Sequence, residues 1–213
     1  MRFTPNKCLA TALIGASLVL VSVSANAYEN ALFALKNRWE HTVTQTPKSE
    51  REENLKALAE EAQTLAKQHS DAADVLIWQG VVLASYAREQ GGLGALGSAK
   101  EARDALERAI ELDPAGNNGS AYVTLGALYD RVPGGLISFG DSETAERMFQ
   151  RALDIRPDGI DVNYYYAAFL KEEGNTQAAK AHAQRAVNGT AREGRKASDE
   201  ALRNDAKALL GNL

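Results

Sequence analysis

The sequence predicts an all-α chain in which about four helical hairpins stack into a solenoid closed by a C-terminal capping helix. Three observations carry this. A half-motif repeats: Ala102-x3-Leu106-x2-Ala109-x4-Pro114 is matched by Ala145-x3-Phe149-x2-Ala152-x4-Pro157, and Ala179-x3-Ala183-x2-Ala186 is a third copy without the proline. Self-similarity of this kind marks a repeat architecture before any residue is read singly. Past residue 27, apolar residues recur at helical spacing almost throughout, and no segment alternates strictly enough to argue for a strand. The composition is 45% hydrophobic with abundant Ala and few Trp or Phe, which suits closely packed helices.

Taken in order, the first 27 residues stand apart. Arg2 and Lys7 give a short basic start, 8–24 is an uncharged apolar run of 17 residues, and Ala25-Asn26-Ala27 places small residues where a signal peptidase reads. We expect a secretory signal peptide over 1–27, cut after Ala27, because 17 apolar residues are short for a membrane span. Cys8, the sole cysteine, lies near the start of the run, where a lipoprotein cysteine would lie near its end. The exported chain would then carry no thiol, disulfide or lipid anchor, and its net charge would move from −4 to −6. N-terminal helices occupy 28–71, as a degenerate repeat. One runs over 28–45 and stops at Pro47. The next runs over 50–69, with Leu55, Leu58, Ala59, Ala62, Leu65 and Ala66 in one stripe and a Ser49–Glu52 capping box at its start. Repeats fill 72–191, beginning with a helix over 72–88. The capping helix lies in 192–213, on the pattern of 197–210.

Two repeats carry glycine-rich insertions, at 89–98 and 132–141. Gly91-Gly92-Leu93-x3-Gly97-Ser98-x3-Ala102 aligns with Gly134-Gly135-Leu136-x3-Gly140-Asp141-x3-Ala145, each 11 residues from first glycine to marked alanine. Ser98 and Asp141 are expected N-caps, and Ser98 with Glu101 would complete a capping box. Leu93, Leu96, Leu136, Ile137 and Phe139 make these segments apolar for exposed loops. Two readings stand: a structural loop duplicated with its repeat, or a paired rim that meets a partner or ligand. Phosphate binding is disfavoured, because each loop follows a helix instead of a strand and no lysine is placed to meet a phosphate.

The spacing and residue types resemble the tetratricopeptide repeat (TPR), whose hairpins stack as a right-handed solenoid. Tyr122, Leu125, Gly126 and Tyr129 fill the four marked positions of a TPR first helix. In that register Ala167 lies 12 residues before Ala179, the uninterrupted step, with Gly174 in the turn; Gly126 to Ala145 is 19 and Gly80 to Ala102 is 22. Gly or Ala at the small position lets two backbones approach, and Pro114 and Pro157 end second helices by removing an amide donor. One hairpin cannot bury its apolar face alone, so the copies stack around a concave surface. A narrower resemblance rests on Asp130-Arg131-Val132-Pro133-Gly134-Gly135-Leu136-Ile137-Ser138-Phe139-Gly140-Asp141, then Ala145-Glu146, then Arg156-Pro157-Asp158-Gly159-Ile160-Asp161-Val162-Asn163-Tyr164. This looks like the periplasmic TPR component associated with TRAP transporters. It covers roughly 75–190 and implies an all-helical scaffold working beside a solute-binding protein for small organic ligands. The chain is shorter than typical members and lacks a lipobox.

The TPR register points Ile77, Val81, Val123, Ala127, Tyr164 and Ala168 to the concave face, with Arg131 and Lys171 near its rim. That face suits an apolar segment, an amphipathic helix or an organic ligand, unless the N-terminal helices or another subunit already cover it. Candidate binding residues are therefore Ile77, Val81, Leu93, Leu96, Val123, Ala127, Arg131, Leu136, Ile137, Phe139 and Tyr164. His41, His69 and His182 are far apart, read as surface residues and share no metal-like spacing; no metal or cofactor is expected. No Ser/His/Asp set or nucleophile elbow suggests an enzyme, and no basic run suggests nucleic acid. Two functions remain: a non-enzymatic exported adaptor for a protein partner, with a TRAP-type solute-binding protein implied by the resemblance, or a periplasmic carrier of a small apolar ligand held between the concave face and the glycine-rich loops.

Overall fold

The computed structural model describes residues 15–213, with side chains described from residue 28. The nine helices among them are α1 (Gly15–Gln45), α2 (Lys48–Gln68), α3 (Ala73–Gln90), α4 (Ala95–Leu112), α5 (Ser120–Arg131), α6 (Ser142–Ile155), α7 (Ile160–Glu172), α8 (Thr176–Asn188) and α9 (Lys196–Gly211). A single 3₁₀ turn, Glu193–Arg195, joins α8 to α9. Consecutive helices pair as α1/α2, α3/α4, α5/α6 and α7/α8, and α9 packs on α7 and α8. This is the all-α hairpin solenoid with four hairpins and a cap. Arg2, Lys7 and Cys8 lie outside the described residues, and α1 runs unbroken through Ala27 and Tyr28. Among the described residues no helix is long and apolar enough to cross a membrane.

The repeat register is a packing code. A Cβ on Gly80 would overlap Leu106, and one on Gly126 would lie 2.6 Å from Cε1 of Phe149. The large residue of each second helix therefore sits in the gap left by the glycine of the first. In the fourth hairpin Ala183 replaces the large residue, and Ala167 replaces glycine; both are completely buried. Ala102, Ala109, Ala145, Ala152, Ala179 and Ala186 are likewise buried, so every marked alanine is core. Gly174 makes its turn at φ 79°, and Asn175 caps α8 by accepting from the Ala178 amide at 3.3 Å.

Local caps divide the two glycine-rich segments. Asp141 caps α6, its Oδ1 accepting from the Thr144 amide at 2.7 Å. The Ser98 cap and the Ser98–Glu101 box do not form: α4 starts at Ala95, which puts Ser98 inside the helix. The Ser49–Glu52 box fails for the same reason, because α2 starts at Lys48 with Pro47 before it. The chain enters the helix four residues early at Ser98 and two residues early at Ser49, so in both places the serine amide is already helical. The two aligned segments consequently differ in shape, one a short turn over 91–94 and the other a full loop over 132–141.

The ends of the solenoid meet. The Ser198 amide donates to Glu40 Oε1 at 2.7 Å, joining α9 to α1. The Arg195 guanidinium lies over the rings of Trp39 (4.4 Å) on α1 and Trp78 (5.2 Å) on α3. The concave side of α3, α5 and α7 is thus crossed by α1 and by the segment that leads into α9.

Candidate partner and ligand sites

The 132–141 loop is pinched at its base. The Gly140 amide donates to Pro133 at 3.1 Å and the Asp141 amide to the Tyr129 carbonyl at 2.9 Å. A Cβ on Gly140 would overlap the Val132 carbonyl oxygen, so only glycine allows the neck to close. Phe139 anchors the loop from inside: it meets Tyr129 edge-on at 5.4 Å and carries the Arg103 guanidinium 4.6 Å above its ring. Tyr129 in turn donates to Glu107 at 2.8 Å; burial and that acceptor push its hydroxyl up to about 12. With the neck closed and Phe139 held, Leu136 and Ile137 form the tip, at 108% and 62% exposure. Leu93, on the other glycine-rich turn, is 77% exposed. Both segments link a first helix to its second helix, so topology puts them at the same end of the stack.

A second site lies on the concave side, a pocket of about 200 Å³. Its apolar floor is Ile77, Trp78 and Val81 from α3; its polar wall is Lys36, Arg156, Arg192 and Arg195, with Asn117, Asn118 and Ser120 at the start of α5. The local chain is special here. Gly116, Asn117, Asn118 and Gly119 all have positive φ, between 48° and 81°. Asn is the non-glycine residue that best tolerates this region. Asp113 pays the cost of the turn, accepting from the Ala115 amide at 3.0 Å and the Asn117 amide at 3.1 Å.

The cationic wall is held by buried carboxylates. Asp161, in the first turn of α7 and 4% exposed, meets Arg156 at 2.5 Å and Arg192 at 2.9 Å. Asp199, 1% exposed, receives Arg192 Nε at 3.0 Å, Nη2 at 2.6 Å and its backbone amide at 2.9 Å. Burial works to raise the Asp161 carboxyl, but Arg192, Arg156 and Arg195 outweigh it and hold it below the usual carboxylate range. Burial lowers the Arg156 and Arg195 guanidiniums; Arg192 is raised, since Asp199 and Asp161 overcome its burial. Arg156 Nε and Nη1 are buried without a hydrogen-bond partner among the described residues.

The TRAP transporter T-component family matches residues 22–188. The chain belongs to that family. No curated protein matches it. As a T-component it is an accessory component of TRAP transport of the periplasmic type. The family match covers α1 from residue 22 and all of α2 to α8, including Asp161, Arg156 and the 132–141 loop. Arg192, Arg195 and Asp199 follow it.

The candidate residues separate into groups in this T-component. Ile77 and Val81 line the pocket. Val123 is core, packed with Tyr122, Ala152 and Val162, and Ala127 and Tyr164 are half-buried. Arg131 is exposed and braces two repeats, 2.9 Å from Asp130 and 2.9 Å from Glu172. Leu96 and Phe139 are half-buried, leaving Leu93, Leu136 and Ile137 as the exposed apolar members. His69 and His182 are corrections: both are half-buried, His69 with its ring 4.8 Å from that of Tyr28 and His182 with Nδ1 2.8 Å from Asn163 Oδ1. Sequence reasoning missed Lys36, Trp39, Arg156, Asp161, Arg192, Arg195 and Asp199. Their only signal was an aspartate in the first turn of α7 just past an Arg-Pro, and an arginine-rich link before the last helix.

Proposed function

We propose that this T-component is a non-enzymatic, exported scaffold that docks the solute-binding protein of its TRAP system through the tip of the 132–141 loop. The observation that carries the reading is the exposure of Leu136 and Ile137 on a loop whose neck and anchor are fixed. A rigid base removes much of the ordering cost of binding, and exposed apolar side chains on such a base favour a protein contact. The leader over 1–27 delivers the chain to the periplasm, where that partner works.

The test is a binding measurement between the purified chain and the solute-binding protein of its own transport system, by biolayer interferometry. The double variant Leu136→Ser/Ile137→Ser should weaken the complex by about tenfold to a hundredfold, as expected for two buried aliphatic side chains. Its helicity and melting temperature should stay at the wild-type values, because both side chains face solvent. Equal affinity in variant and wild type sinks the reading.

A further inference from the structure

We propose that the pocket between α1, α3, the start of α5 and the segment leading into α9 binds a small organic anion, its carboxylate held by Lys36 and Arg195 and its apolar body resting on Ile77, Trp78 and Val81.

Two like charges are brought together over one ring. Lys36 Nζ lies 5.5 Å and the Arg195 guanidinium 5.2 Å from the Trp78 ring centre. No ion pair holds Lys36 among the described residues. Arg195 reaches Ser198 Oγ through Nε at 3.3 Å and Glu40 only at 3.9 Å, and its two terminal nitrogens have no hydrogen-bond partner there. Arg195 is 16% exposed, so this is a guanidinium taken largely out of water with its donor edge unspent. Burial lowers the Lys36 ammonium and Arg195 pushes it the same way, while Asp74 opposes both. A carboxylate seated between the two cations would relieve their repulsion and accept their free N–H groups in a site where such bonds are strong.

The surroundings select for charge and shape together. Four cations, Lys36, Arg156, Arg192 and Arg195, face three bridging carboxylates, Asp161, Asp199 and Glu40. Asp161 and Asp199 are engaged by Arg156 and Arg192, Glu40 comes no nearer to Arg195 than 3.9 Å, and no carboxylate is among the residues that line the pocket, so its Lys36 and Arg195 side is cation-rich. The apolar part of the same lining is Ile77, Trp78 and Val81, with Asn117, Asn118 and Ser120 completing its polar part. A cavity of about 200 Å³ admits a short carboxylic acid and excludes a peptide helix. The pocket and the 132–141 loop use different residues, so this inference stands apart from the docking proposal.

The experiment uses the full chain and sodium benzoate as probe, with neutral benzamide, inorganic phosphate and sodium chloride at matched ionic strength as controls. Benzoate should raise the melting temperature and bind by calorimetry. Benzamide and phosphate should bind at least about tenfold more weakly, each lacking one half of the recognition. Lys36→Met, which keeps the stem, should weaken benzoate by about tenfold or more, and Lys36→Arg should restore most of it. Arg195→Met is the direct variant, but Arg195 packs between Trp39 and Trp78, so the Lys36 pair keeps the test independent of folding. Leu136→Ser/Ile137→Ser should bind benzoate as the wild type does. Absence of benzoate binding, equal binding of benzamide or phosphate, or unchanged affinity in Lys36→Met overturns the proposal.

Discussion

Arg192→Met tests whether the C-terminal segment is clasped to the repeats by charge. In the native chain Asp199 is 1% exposed and receives three donors, all from Arg192. The substitution leaves it only the residue-192 backbone amide. Asp161 keeps Arg156 at 2.5 Å, so its loss is partial. Removing one partner of a buried pair costs about 3–5 kcal/mol, because the remaining charge is uncompensated. That is a large share of the roughly 5–15 kcal/mol of a whole domain. Adding Asp199→Asn removes the orphaned charge, so the double variant should be more stable than the sum of the two single changes predicts, by about 2 kcal/mol. Urea denaturation followed by far-UV circular dichroism measures all three. Salt should change the loss little, since buried pairs are weakly screened. A loss below about 1 kcal/mol for Arg192→Met, or additivity of the two changes, would mean that the pair behaves like a surface ion pair and would refute the clasp.

Two other outcomes are expected. Gly126→Ala should destabilise by about 1–2 kcal/mol although alanine is the better helix former, because its Cβ would meet the buried Phe149 ring. Phe149→Leu in the same chain should recover part of the loss in urea melts; a more stable Gly126→Ala chain would show that the register is not a packing code. His182 sets a pH dependence. Burial, aided by Arg185, lowers its imidazole below 6.5, while the unfolded chain takes up a proton near that value. Stability should therefore be full above pH 6.5 and fall as the pH drops below it, and His182→Gln should flatten that fall in thermal melts.

Architecture was legible in the sequence because it is written in short-range spacing. Gly80 with Leu106 and Gly126 with Phe149 are read by counting along the chain, and each pair is a contact in the fold. The caps were half legible. Asp141 behaved as its residue type suggests, but Ser98 did not, since nothing local says that α4 begins four residues after Gly91. The pocket was nearly invisible. Asp161 and Asp199 are 38 residues apart, and Glu40 reaches the Ser198 amide across 158 positions. Charges on a helical chain are ordinarily solvated, and only closure of the solenoid takes these out of water.

That closure also decides where a partner can act. A TPR groove commonly suits an amphipathic helix, and by register this concave face is apolar. Here the groove is crossed by Trp39 and by Arg192 and Arg195 in the link before α9, with Trp78 beneath. A helix entering from the concave side would have to separate Arg192 from Asp161 and Asp199. The cost, about 3–5 kcal/mol, is near half of the roughly 8 kcal/mol that a micromolar complex releases. A partner at the Leu136 tip incurs no such cost, because nothing among the described residues covers that side chain. The outer loop is therefore the cheaper docking point, and the closed concave side is left to ligands small enough to enter without opening it.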